Sequence, residues 1–167
     1  MKNIAIAIVL VFFATTTSLA QTEAPDSSDI KLVIQNTFSA METGDSVLLA
    51  SCFSKEATLQ VQVNKNDSVF VSVVPIKDFI AKITKAPKGT LHERVVSWDS
   101  ILIDHNMASV WIPYTFHRGD VFSHRGIDAF HLVKFKEGWR ITSLLYNMYH
   151  WYHLDIVLII PHDLHNN

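Results

Sequence analysis

From residue 91 onward the chain is written almost entirely in strand-length segments. The turns between them are too short for anything but antiparallel neighbours. Residues 92–103, 107–117, 123–136 and 139–149 are rich in β-branched and aromatic side chains. They are separated by Asp104-His105-Asn106, by residues 118–122 and by Glu137-Gly138. A parallel crossover needs a dozen or more residues, so these four segments predict an antiparallel meander. One face of such a sheet is apolar and has to be covered.

The cover has to come from upstream. Ser28 or Asp29 is a candidate helix cap, and Ile30, Val33, Ile34, Thr37, Phe38 and Met41 recur at helical spacing up to Gly44. Asp45 caps a second, short helix that runs to Cys52. Residues 58–63 and 69–74 alternate about a polar turn and read as a hairpin. Pro75 opens a third helix with Ile76, Phe79, Ile80 and Ile83 on one face. The expected fold is α+β: a cone-shaped, curled antiparallel sheet covered by three N-terminal helices.

The 118–122 turn allows the register to be read. Centred on Asp120, it pairs Phe116 with His124, Tyr114 with Gly126, Ile112 with Asp128 and Val110 with Phe130. Partners across a ladder point to the same side. One face therefore collects Val110, Ile112, Tyr114, Phe116, His124, Gly126, Asp128 and Phe130. This face is apolar and aromatic, yet it holds a carboxylate, an imidazole and a phenol, as a small-molecule pocket requires. Gly126 in mid-strand leaves room for the Tyr114 ring or for a ligand. The candidate catalytic residues are Asp128 as general base or protonated donor, His124 as proton shuttle and Tyr114 as hydrogen-bond donor. Ile112, Phe116, Gly126 and Phe130 are the candidate ligand-binding residues. His117 and His131 fall on the other face from His124, so no metal site and no cofactor are expected.

The order helix, helix, hairpin, helix, four strands resembles the nuclear transport factor 2-like superfamily over residues 28–148. The resemblance is carried by residues 30–44 followed by Phe53-Ser54-Lys55-Glu56-Ala57-Thr58-Leu59, by Ala108-Ser109-Val110-Trp111-Ile112-Pro113-Tyr114-Thr115-Phe116, and by residues 123–134 with Gly138-Trp139-Arg140-Ile141. It is similar to the secreted bacterial branch labelled SnoaL-like or "Putative lumazine-binding". The resemblance implies a domain that binds a small aromatic or heterocyclic molecule in its cone. It also leaves open an enzyme performing acid–base chemistry (isomerase, dehydratase or cyclase) or a non-catalytic interaction module. The apolar face of the first helix offers no acid, which departs from a full isomerase dyad. A homodimer through the sheet is expected.

The ends of the chain read differently. Lys2 precedes an unbroken apolar run at residues 4–14, and Ser18-Leu19-Ala20 fits a cleavage site. Eleven apolar residues are too few for a bilayer, which needs roughly 20. Residues 1–20 therefore read as a signal peptide, 21–28 as a flexible leader, 29–148 as the domain and 149–167 as a tail. The protein is expected in the periplasm or outside the cell, with no membrane contact after cleavage. The net charge of −2, with no basic block, argues against a nucleic-acid partner. Cys52 is the single cysteine and lies in an apolar stretch, so it is expected to be a buried hydrophobe.

Overall fold

The computed structural model describes residues 25–66, 68–98 and 100–149. The expected signal peptide and tail residues 150–167 lie outside them. Three helices, α1 (Pro25–Thr43), α2 (Ser46–Cys52) and α3 (Ile76–Ile83), lie against a curled, unclosed seven-stranded sheet. The strands are β1 (Phe53–Lys65), β2 (Ser68–Pro75), β3 (Leu91–Val95), β4 (Ser100–Asp104), β5 (Met107–Arg118), β6 (Val121–Phe135) and β7 (Gly138–Tyr146). Their order is β2-β1-β7-β6-β5-β3, with β4 also on β5.

α1 starts a turn ahead of the expected cap, within the stretch read as a leader. Proline at the first helical position has no N–H to leave unpaired. Asp26 then anchors this turn to the sheet. It accepts from Lys134 Nζ and, at 3.3 Å, from Trp139 Nε1. The Lys134 bond, and then the Trp139 bond, hold Asp26 below the usual carboxylate range. Ile30, Ile34, Thr37, Phe38 and Met41 form the buried stripe of α1, with no acid among them.

α2 is only seven residues long and depends on its cap. Asp45 Oδ1 accepts from the backbone N–H of Val47 (3.0 Å) and Leu48 (2.9 Å), two of the orphan donors of the first turn. Asp45→Ala is expected to cost about 1 kcal/mol in urea denaturation. Cys52 closes the helix, buried, and burial pushes its thiol up.

The β5–β6 ladder has the expected register: Phe116↔His124, Tyr114↔Gly126, Ile112↔Asp128 and Val110↔Phe130. The segment expected as one strand over 92–103 is two. β3 pairs with residues 114–118 of β5 and β4 with residues 107–111. The break falls opposite Pro113, which accepts from Val96 N (2.9 Å) but has no N–H to return. The sheet is also not wholly antiparallel. β1 runs parallel to β7, with Phe53↔Ile141 and Val61↔Tyr146, and joins the N-terminal hairpin to the meander.

The helices cover the concave face, where Trp139, Phe130, Leu132, Ile141 and Leu59 are fully buried. On the convex face Trp111, Leu102 and Met107 stay exposed. Among the described residues no helix is long and apolar enough to cross a membrane.

Candidate functional site

The concave face of β5 and β6 brings Tyr114 and Asp128 together, with His124 beside them. Asp128 is 1 % exposed, and its Oδ2 is buried without a hydrogen-bond partner among the described residues. The group that meets it is a second carboxyl. Glu93, on β3 beside Phe116, is in hydrogen-bonding contact with Asp128. Two carboxylates cannot donate to each other, so this contact requires a proton.

Burial dominates the protonation of both acids. Desolvation pushes Glu93 up to about 7, with the Asp128 bond pulling the other way. Desolvation, then the charge of Glu93 and its hydrogen bond, raises Asp128 well above the usual carboxylate range. Tyr114 and Tyr146 complete the group. Both phenols are pushed up, first by burial and then by the two acids. At neutral pH Glu93 is therefore near its midpoint, and burial favours the protonated form of Asp128 and of both phenols.

Tyr114 is already committed. Its hydroxyl donates to the carbonyl of Asn147 at 2.9 Å. Asn147 Oδ1 in turn accepts from Ile127 N (2.8 Å), and Tyr149 exchanges backbone bonds with Arg125. The chain beyond β7 is thus clasped onto β6. Gly126 makes this possible: a Cβ there would lie 2.0 Å from the Asn147 carbonyl oxygen and 2.8 Å from Tyr114 Cε1. The space read from the sequence is filled by backbone as well as by the Tyr114 ring.

His124 stacks on Phe116 (centroids 4.9 Å apart, planes at 21°) and meets Tyr114 edge-on at 5.8 Å. Its Nδ1 lies 3.0 Å from Ser123 Oγ. Ile112 and Phe130 are fully buried beneath the site, and Phe130 packs against Phe38 of α1 at 6.3 Å. Among the described residues no three His, Cys, Asp or Glu side chains converge on a metal position. His131 is on the convex face, bonded to Ser109 (3.0 Å).

Glu93, Tyr146 and Asn147 were not legible as site residues. The only signal for Glu93 is its phase: in Leu91-His92-Glu93-Arg94-Val95 it alternates with the two apolar residues, so it shares their face.

An α+β cone with polar groups gathered on its concave face defines a nuclear transport factor 2-like domain. Solved structures agree on the fold. An NTF2-like protein of unknown function from Shewanella baltica OS155 is 19 % identical, with a TM-score of 0.60 over 77 % of this chain and 98 % of its own. One from Methylobacillus flagellatus KT is 20 % identical, with a TM-score of 0.57 over 78 % and 97 %. A protein of unknown function with a cystatin-like fold from Nostoc punctiforme PCC 73102 is 13 % identical, with a TM-score of 0.60 over 75 % and 92 %. No protein of curated function matches the sequence. The chain belongs to the family described as "Putative lumazine-binding", whose model matches residues 25–147. That family description is of a ligand-binding domain.

Proposed function

We propose that this is a secreted domain that binds a small aromatic or heterocyclic molecule on the concave face, against Phe116, His124 and the Glu93–Asp128 pair. The observation that carries the reading is Asp128. A buried carboxyl oxygen without a partner is costly, and such groups persist where a ligand or a reaction uses them. Family membership supports ligand binding in general. The signal peptide read over residues 1–20 supports export.

A thermal-shift screen with aromatic and heterocyclic compounds tests it. A ligand at one hundred times its Kd adds about 2.7 kcal/mol and raises Tm by several degrees. A library that leaves Tm unmoved throughout argues for a purely structural or partner-binding role.

A second reading, proton-transfer catalysis, is favoured by the acid pair, because one member sits at about 7. Any compound the screen returns is incubated with the protein in D2O and followed by NMR. Exchange of a carbon-bound hydrogen that Asp128→Asn abolishes supports catalysis; no exchange leaves binding alone. The expected homodimer through the sheet draws on exposed Trp111, Leu102 and Met107 of the convex face, and sedimentation of Trp111→Lys against the parent protein tests it.

A further inference from the structure

The Glu93–Asp128 pair constrains the charge of the ligand, an inference that rests on the pocket reading above. Asp128 Oδ2 is buried and has no hydrogen-bond partner among the described residues. Glu93 is only partly buried, so the pair runs from the solvent side inward. Tyr114 spends its hydroxyl proton on the Asn147 carbonyl and cannot turn to Asp128 without breaking the clasp, and Tyr146, opposite Asp128 on β7, makes no bond to Oδ2. Among the described residues no group donates to Oδ2.

The other groups facing it are easily named. They are Glu93 from β3, Tyr114 from β5, His124 from β6 and Tyr146 from β7. The packed stripe of α1 (Ile30, Ile34, Thr37, Phe38 and Met41) brings nothing titratable. Among the described residues, no lysine or arginine is a cause of the raised values of Glu93, Asp128, Tyr114 or Tyr146. Two acids and two phenols therefore share an apolar corner with one imidazole at its edge. An anionic ligand would meet like charge there. A neutral amide would supply a donor to Oδ2 but leave the Glu93 carboxylate uncompensated. A flat cation with two parallel N–H groups answers both acids at once, as a guanidinium answers a carboxylate. Its plane can also lie against the stacked Phe116 and His124 rings.

We infer that the cone takes a planar amidinium-type cation, an amidine or a protonated aminoheterocycle, whose N–H groups donate to Asp128 Oδ2 and to the Glu93 carboxylate. Binding favours the form in which Glu93 is ionised and releases the Glu93 proton where it is still held, so affinity for a permanent cation rises with pH. For a carboxyl titrating near 7, the ionised fraction grows about tenfold from pH 6 to pH 8, and affinity follows it.

Three probes of one shape separate the outcomes: benzamidine (cation), benzamide (neutral) and benzoate (anion), titrated calorimetrically into the full chain at pH 6 and pH 8. The expected order is benzamidine at least about tenfold tighter than benzamide, with benzoate weakest. Benzamidine should gain about tenfold between pH 6 and pH 8 and release a proton, seen as a buffer-dependent heat. Glu93→Gln, which keeps shape and folding, should flatten that pH trend and narrow the gap to benzamide. Benzamide binding as tightly as benzamidine, or a benzamidine affinity indifferent to pH, overturns the cation and leaves the pocket standing. If none of the three binds and the aromatic screen is also silent, pocket and cation fall together.

Discussion

Glu93→Gln is expected to stabilise the protein at pH 8 by on the order of 3 kcal/mol and to change little at pH 4. The sign follows from where the proton is held. Glu93 titrates at about 7 in the folded chain against an ordinary value of 4.5. Below that ordinary value both folded and unfolded chains are protonated, and the acid costs nothing. Between about 4.5 and 7 the unfolded chain releases its proton while the folded chain keeps it. The folded state binds more protons there, so stability falls as pH rises, then levels off. Asp128 is shifted in the same direction and deepens the loss. Glu93→Gln removes one of the two acids and offers an amide N–H to its neighbour. Urea denaturation at pH 4, 6 and 8 gives the answer. Parallel pH profiles for parent and variant would mean that the pair is better solvated than its burial implies. A stability gain accompanied by lost benzamidine binding would mark the pair as kept for use rather than for folding.

Gly126→Ala should lose about 3 kcal/mol at every pH. The backbone of Gly126 is not in the left-handed region, so the cost is one of space. The added methyl would sit 2.0 Å from the Asn147 carbonyl oxygen, and that atom is not the end of a flexible side chain. Moving it breaks the bond from Tyr114, whose buried hydroxyl is then left without an acceptor. It also disturbs the Ile127–Asn147 and Arg125–Tyr149 exchanges. Amide hydrogen exchange should therefore accelerate at Ile127, Asn147 and Tyr149 before it does at the β5–β6 ladder. A loss below about 1 kcal/mol would show that the clasp yields cheaply.

The sequence carried the local geometry of this fold better than its long-range contacts. The β5–β6 register was read from a five-residue turn centred on Asp120. The chain instead turns on Gly119-Asp120, and an extra residue at Ser123 brings the pairs from Phe116↔His124 onward to where they were expected. A slip of one would have turned Asp128 outward. The same register put Tyr114 and Asp128 on one face, and the structure keeps them there, buried. Glu93 could not be placed, because its position depends on how β3 meets β5, and Pro113 divides the edge at that point. Asn147 was invisible for a related reason: what receives the Tyr114 hydroxyl is its backbone carbonyl, which leaves no trace in residue type. Gly126 did leave a trace, but a missing side chain records only that something comes close, not what. The early start of α1 came from Asp26 reaching Lys134, 108 residues away.

The parallel seam between β1 and β7 has a bearing on how this molecule is made. β1 meets β7 more than eighty residues later in the chain. Until residues 141–146 have been synthesised, the hairpin β1–β2 has no strand linking it to the rest of the sheet. The emerging polypeptide can build two separate pieces, and β7 then joins them. Closing so long a loop is slow compared with forming either hairpin. Until that closure the edge of β1 that β7 covers is open, and the nascent chain is most exposed to mispairing just before β7 is added.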